Sequence, residues 1–187
     1  MDDHKAIARL QRGDIGGLEV LVRRYQTRAI KTAILITRDK ALAEDVVQAA
    51  FIRAYRSVHN FDSHRPFAPW FLRSVVNAAL QAAKQNERNI PLDTTLETDM
   101  LSLLRDAEPD PHNTAEIREL QAAVRNALDQ LSPDQRAAIV MRYYFDMSEE
   151  EMAAQFNAPP GTIRWRLHAA RRRLRGLLHR TLSWEKG

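Results

Sequence analysis

Apolar residues in this chain recur every three to four positions and almost nowhere alternate every second one, a pattern that predicts helices and no sheet. A short first helix is expected to run up to Gln11 and to stop at Arg12-Gly13-Asp14. A second, from about Ile15 to Ile36, would align Leu18, Leu21, Val22, Tyr25, Ala29 and Ala33 on one stripe. Asp39 is placed to cap a third helix, whose apolar positions Val47, Phe51, Ala54 and Val58 follow the i, i+4, i+7, i+11 spacing. A loop from Asn60 to Ala68 follows. Pro69 suits the first turn of a fourth helix reaching about Asn86, because a proline there removes no helical hydrogen bond.

Residues 88–112 lose this order. They contain three prolines and six acids, which predicts a linker with one short helix around Met100–Leu104. Beyond it, Asn113 with Glu116 reads as a capping box opening a helix over Ala115–Leu131. Ser132-Pro133-Asp134-Gln135 reads as a second box, and Ser148-Glu149-Glu150-Glu151 as a third that opens a short helix to Phe156. Asn157-Ala158-Pro159-Pro160-Gly161 breaks that helix, and Thr162 is expected to start a long last one. The expectation is an all-α protein of two small helical domains, 1–88 and 113–187, joined by an acidic flexible linker over 89–112.

Composition narrows the chemistry. The 187 residues include no Cys, which excludes a disulfide scaffold, a Cys-ligated zinc, an iron–sulfur cluster and a thiol nucleophile. An apolar content of 44% with only six Gly and eight Pro fits a packed soluble protein. The first residues carry acids and no apolar core, so no secretory signal is expected. No run approaches the roughly 18 apolar residues of a membrane span. The expected location is the cytoplasm.

Charge is distributed in blocks. Residues 1–88 hold 15 basic and 9 acidic side chains, residues 89–115 hold 1 and 6, and residues 116–187 hold 12 and 9. Residues 164–180 contain seven Arg and no acid. Two basic blocks flanking an acidic segment point to two domains facing one polyanion.

The last sixty residues sharpen this. A short helix, a turn of about four residues and a longer basic helix form a helix-turn-helix arrangement. Ile163, Leu167, Ala170, Leu174 and Leu177 make the packing stripe of the final helix. The opposite surface would then show Thr162, Arg164, Trp165, Arg166, His168, Arg171, Arg172 and Arg175, a set suited to base edges near the helix start and to phosphates beyond it. Trp165 stands out: an indole there is either a base or sugar contact or a packing residue. The remaining chemical constellation, His59 and His64 around Asp62, lacks a second ligand cluster and does not support a metal hydrolase. No cofactor, metal or catalytic residue is expected.

At this point the residues resemble a known family. The blocks Leu131-Ser132-Pro133-Asp134-Gln135-Arg136, Arg142-Tyr143-Tyr144, Met147 to Ala153 and Pro160 to Arg171 are similar to region 4 of the extracytoplasmic-function sigma factors, the smallest members of the sigma-70 class. Where that family usually has a small Ser, this chain has Trp165. Upstream, Ala43 to Tyr55, then Phe61-Asp62, Pro69-Trp70-Phe71-Leu72-Arg73 and Asn77, resemble its region 2 at the family's spacing. The resemblance covers roughly residues 5–88 and 113–180.

The resemblance implies a protein that binds core RNA polymerase and directs it to promoter DNA through −10 and −35 elements. Asp45, Gln48, Ile52, Arg53 and Arg56, left outside the apolar stripe of the third helix, would then form the polymerase-docking face. The loop from Asn60 to Phe67 corresponds to the stretch that holds a base flipped from the −10 element, which makes Asn60, Phe61, Phe67, Arg73, Asn77, Gln81 and Lys84 the −10 candidates. Gln81 and Lys84 replace an acid and an arginine cluster of the family's common pattern. The last helix would read the −35 element, and an anti-sigma factor becomes an expected partner. The alternatives are a free-standing helix-turn-helix regulator and a sigma mimic that sequesters an anti-sigma protein; the dense Arg of the last helix argues against the mimic.

Overall fold

The computed structural model describes residues 2–89 and 115–183, with side chains given for 2–87 and 119–179. Every regular element among the described residues is helical. The chain divides into two compact units, Met1–Ala82 and Ala83–Gly187.

The first unit contains α1 (Asp3–Gln11), α2 (Gly16–Thr37), α3 (Lys40–Ser57) and most of α4 (Phe67–Asn89). α1 is capped by Asp2, whose carboxylate accepts the His4 amide, and it ends at Gly13, whose φ of 86° turns the chain back. α1 and α2 pack so closely that a Cβ on Gly17 would stand 2.2 Å from the Ala6 carbonyl oxygen. Asp39 caps α3 by accepting the Leu42 amide at 3.0 Å, as the sequence led one to expect. Val47, Phe51, Ala54 and Val58 are buried on the packing side of α3 and its continuation. Two buried threonines on α2 satisfy their hydroxyls by donating one turn back, Thr32 to the Arg28 carbonyl and Thr37 to that of Ala33.

Two boundaries in this unit differ from the sequence reading. α3 runs on into a 3₁₀ turn over Val58–Asn60, and α4 begins at Phe67, so the connection is shorter than the expected Asn60–Ala68 loop. The reason is aromatic. Phe67 is buried against Tyr25, Phe61, Trp70 and Phe71, with ring centroids 5.4–5.9 Å away. This packing draws the helix start two residues upstream of Pro69, which still falls in the first turn. Gln11 fixes the other end of the loop by donating to the Val58 and Phe61 carbonyls.

The second unit contains the last turns of α4, then α5 (Ala115–Asp129), α6 (Pro133–Tyr144), α7 (Glu149–Phe156) and α8 (Pro160–Ser183). The boxes at Ser132 and Ser148 form as expected: each serine hydroxyl accepts the amide three residues on, and Gln135 or Glu151 reaches back to the serine amide. The expected box at Asn113 and the short helix at Met100–Leu104 fall outside the described residues. α8 starts at Pro160 rather than Thr162, because the Pro159 carbonyl accepts the first amides, those of Thr162 and Ile163. Its Ile163, Leu167 and Ala170 are fully buried, and α5, α6 and α7 all pack on α8. Arg136, 1% exposed, is held by the Leu131 carbonyl at 2.6 Å.

Candidate nucleic-acid and partner interfaces

In the second unit, α7 and α8 are joined by Asn157-Ala158-Pro159. Asn157 adopts the left-handed conformation (φ 47°) and donates its amide to the Ala153 and Ala154 carbonyls, ending α7 in a sharp turn. The helix-turn-helix is therefore made by one asparagine stopping a helix and two prolines opening the next. On α8, the buried Ile163–Leu167–Ala170 side leaves Gly161, Trp165, His168, Arg172, Arg175 and His179 on an exposed stripe at helical spacing, with no acid in it.

The expected arginines divide according to what the other helices offer them. Arg164 leans on Glu149 at the start of α7, Nε to Oε2 3.1 Å, yet stays 72% exposed. Arg166 is drawn inward: its Nη2 lies 3.2 Å from Asp134 Oδ1, its guanidinium sits over the Phe156 ring, and it is only 20% exposed. Arg171 donates to the Tyr143 hydroxyl at 2.9 Å and stacks over that ring. Arg172 and Arg175 are exposed without a partner among the described residues. Thr162 is half-buried, and Trp165 is exposed, so the packing alternative for the indole does not hold. The expectation of a base-reading Arg166 meets a structural objection, since its guanidinium is already held by Asp134 and lies over the Phe156 ring.

In the first unit, Asp45, Gln48, Ile52 and Arg56 share one exposed face of α3, and Arg53 lies at its side. Tyr55, 40% exposed, belongs beside this face and escaped the sequence reading, although its spacing of three from Ile52 signalled it. A groove of about 550 Å³ runs along α2 and α3, lined by Leu18, Val22 and Ile30 on one wall and Asp45, Gln48 and Ile52 on the other. Leu18 and Val22, expected in the core stripe of α2, are only half-buried because they form this wall.

The −10 candidates separate further. Asn60 and Gln81 are exposed; Arg73 and Asn77 are half-buried on α4. Phe61 and Phe67 are 8% and 3% exposed, inside the aromatic cluster, so neither ring has a free face for a base. Trp70 is half-buried and lies at helical spacing with Arg73 and Asn77. Lys84 places its Nζ 2.9 Å from Asp134 Oδ2, a carboxylate it shares with Arg166, so its ammonium is engaged within the second unit. Around the loop, Asp62 accepts the His64 amide at 3.0 Å and pairs with Arg65 at 3.5 Å. Among the described residues no group of three or more His, Asp and Glu could hold a metal, and no helix is long and apolar enough to cross a membrane.

One titration is set by this architecture. Burial, reinforced by hydrogen bonding and proximity to the Asp3 carboxylate, pushes the Tyr25 phenol up to about 12. Arg24 pairs with the same carboxylate, so α1 is tied to α2 by a three-residue cluster.

Comparison with known proteins places this geometry. Residues 21–89 match the family model "Sigma-70 region 2", and residues 121–174 match "Sigma-70, region 4". The chain is 32% identical over 174 residues to the RNA polymerase sigma-H factor of Pseudomonas aeruginosa, covering 90% of each chain. It is 33% identical over 178 residues to the ECF RNA polymerase sigma-E factor of Haemophilus influenzae, covering 91% of this chain and 92% of that one. Its fold is that of the sigma factor RpoE solved with the anti-sigma factor NepR from Bartonella quintana (TM-score 0.61, 22% identity, 86% of this chain and 95% of that one). It is also that of CnrH solved with the cytosolic domain of CnrY (TM-score 0.60, 24% identity, 94% and 96%). The chain belongs to the extracytoplasmic-function sigma factors of the sigma-70 family, RNA polymerase subunits that direct promoter-specific transcription initiation. Matches to both regions, in order, leave the free-standing regulator without support.

Proposed function

We propose that the two units divide the work of a sigma factor between the surfaces described above, with 1–88 acting as region 2, 89–112 as the linker and 113–187 as region 4. The α3 face of Asp45, Gln48, Ile52, Arg53 and Arg56, extended by Tyr55 and the adjoining groove, docks on core RNA polymerase. Asn60 at the loop, with Arg73, Asn77 and Gln81 on α4, meets the −10 element, while Phe61 and Phe67 shape that loop from inside. The exposed surface of α8 meets the −35 element: Arg164, Trp165 and His168 toward the bases, Arg171, Arg172 and Arg175 toward phosphates. Thr162 contributes at the helix start. The chain performs no catalysis; the polymerase makes the transcript, in the cytoplasm. The observation that carries this reading is the acid-free stripe of α8, set outside a helix-turn-helix whose inner side is fully packed.

An anti-sigma factor, the kind of partner solved with RpoE, fits the same logic. Covering the Asp45 face would block polymerase docking without touching α8. The test is transcription in vitro with bacterial core polymerase over a genomic library, followed by mapping of start sites. The expected result is a shared −35/−10 pair upstream of the starts, seen only when the chain is added. A parallel anisotropy titration should show weak duplex binding by the free chain, about 10⁻⁴–10⁻⁶ M at physiological salt. Docking on polymerase would fix the spacing of the two contacts and raise the effective concentration of the second to about millimolar. Nanomolar sequence-specific binding by the free chain would contradict the proposal.

A further inference from the structure

The first turns of α8 present an unusual surface. A recognition helix ordinarily offers hydrogen-bonding groups to base edges, and two arginines flank Trp165 in sequence. Arg166 is pulled back to Asp134 at 3.2 Å with its guanidinium over Phe156, whereas Arg164 leans on Glu149 at 3.1 Å and stays 72% exposed. The indole between them is 67% exposed and touches no other aromatic ring or cation among the described residues. Along its stripe Gly161 stands one turn earlier, where a Cβ would meet nothing within 4 Å, and the exposed His168 one turn later. Beside the exposed Arg164 and His168, the early turns therefore present an uncovered apolar plate. Leaving it in water is unfavourable, and among the described residues it stays 67% exposed.

The major groove offers one apolar feature among its base edges, the C5-methyl of thymine. We propose that Trp165 determines specificity in the −35 element by packing its indole against a thymine methyl. This rests on the reading of α8 as the −35 helix and adds what that helix selects. Base choice at this position then comes from removing apolar surface from water, while Arg172 and Arg175 hold the phosphates. The competing role for the indole, donation from Nε1 to a phosphate, would be indifferent to sequence.

The experiment uses holoenzyme assembled from bacterial core polymerase and the full chain. A −35 element is first selected by the holoenzyme from a randomised library, then each thymine is replaced by deoxyuridine, which removes only the methyl. Wild type, Trp165→Ala and Trp165→Phe are compared by promoter binding. One deoxyuridine position should weaken wild-type binding about three- to five-fold, the value of one buried methyl-sized group. That effect should vanish in Trp165→Ala and persist in Trp165→Phe, whose ring keeps the apolar contact but has no donor. A selected element without thymine, a flat deoxyuridine scan, or a scan unchanged in Trp165→Ala would overturn the proposal. So would a uniform loss across all sequences in Trp165→Phe, which would assign the indole to a phosphate. Scrambling the whole selected element separates the two levels: if it costs wild-type holoenzyme nothing, the −35 assignment of α8 fails as well. If it costs binding while the methyl scan is flat, only the role of Trp165 fails.

Discussion

α4 and α8, 23 and 24 residues long, are the longest helices among the described residues, and each carries candidates for DNA contact, yet they hold them in opposite ways. α8 keeps a continuous packing side of Ile163, Leu167 and Ala170 and leaves Arg164, Arg171, Arg172 and Arg175 exposed. α4 opens with aromatic rings, and Phe67 and Phe71 are swallowed by Tyr25, Phe51 and Phe61. A guanidinium cannot be taken deep without a partner, so its place at or near the surface is set by its own chemistry. A phenyl ring is equally at home as a base platform or as core, and only the neighbouring helices decide which. The difference teaches that a single helix shows which side carries the charges, while the burial of an aromatic ring, like the freedom of each charge, is set by its neighbours.

The strongest way to break that contrast is Phe67→Ala. With the ring stacked at 5.4 Å and 10° on Phe71 inside the core, its removal should cost about 3–5 kcal/mol of stability, read by urea unfolding. A folded variant of wild-type stability with impaired promoter opening would instead make Phe67 a base platform. Next in size is the polymerase face. Asp45→Ala with Gln48→Ala removes exposed groups, so helix content should stay unchanged by circular dichroism while affinity for core falls by about tenfold or more, as for a pair of central interface residues. Equal competition for core enzyme would move the docking surface elsewhere.

A third comparison lies within α8. Arg172→Ala and Arg175→Ala should each weaken binding to all promoters alike and reduce the slope of log affinity against log salt by about 1. Arg166→Ala should leave that slope alone and lower the stability of the second unit by about 1 kcal/mol, because it removes a partly buried ion pair with Asp134. A promoter-variant scan in which Arg166→Ala changes preference at one position would restore it as a base reader.

The smallest effect is a pH dependence. The Tyr25 phenol is raised in the folded chain from its ordinary value of 10.0 to about 12, so folding favours its neutral form. Its contribution is therefore complete below about pH 10 and is lost as pH rises toward 12. Urea unfolding across that window should show a decline that Tyr25→Phe flattens. An identical decline in the variant would mean that the cluster with Asp3 and Arg24 does not link pH to stability.

By itself the sequence determined the helical class, because the 3.6-residue period leaves no other way to bury Val47, Phe51 and Ala54 together. It also determined the caps at Asp39, Ser132 and Ser148, since those side chains bond to amides three residues away and need nothing distant. The turn at Asn157 and the acid-free stripe of α8 were likewise legible from local spacing. Tertiary structure decided the rest. The start of α4 at Phe67 follows from rings brought together across three helices. The withdrawal of Arg166 depends on Asp134 and Phe156, 32 and 10 positions earlier in the chain. The exposure of Trp165 depends on nothing arriving to cover it. A pattern along one helix states which side is apolar; which charged groups on the other side remain free is settled by the side chains that neighbouring helices bring within ion-pairing distance.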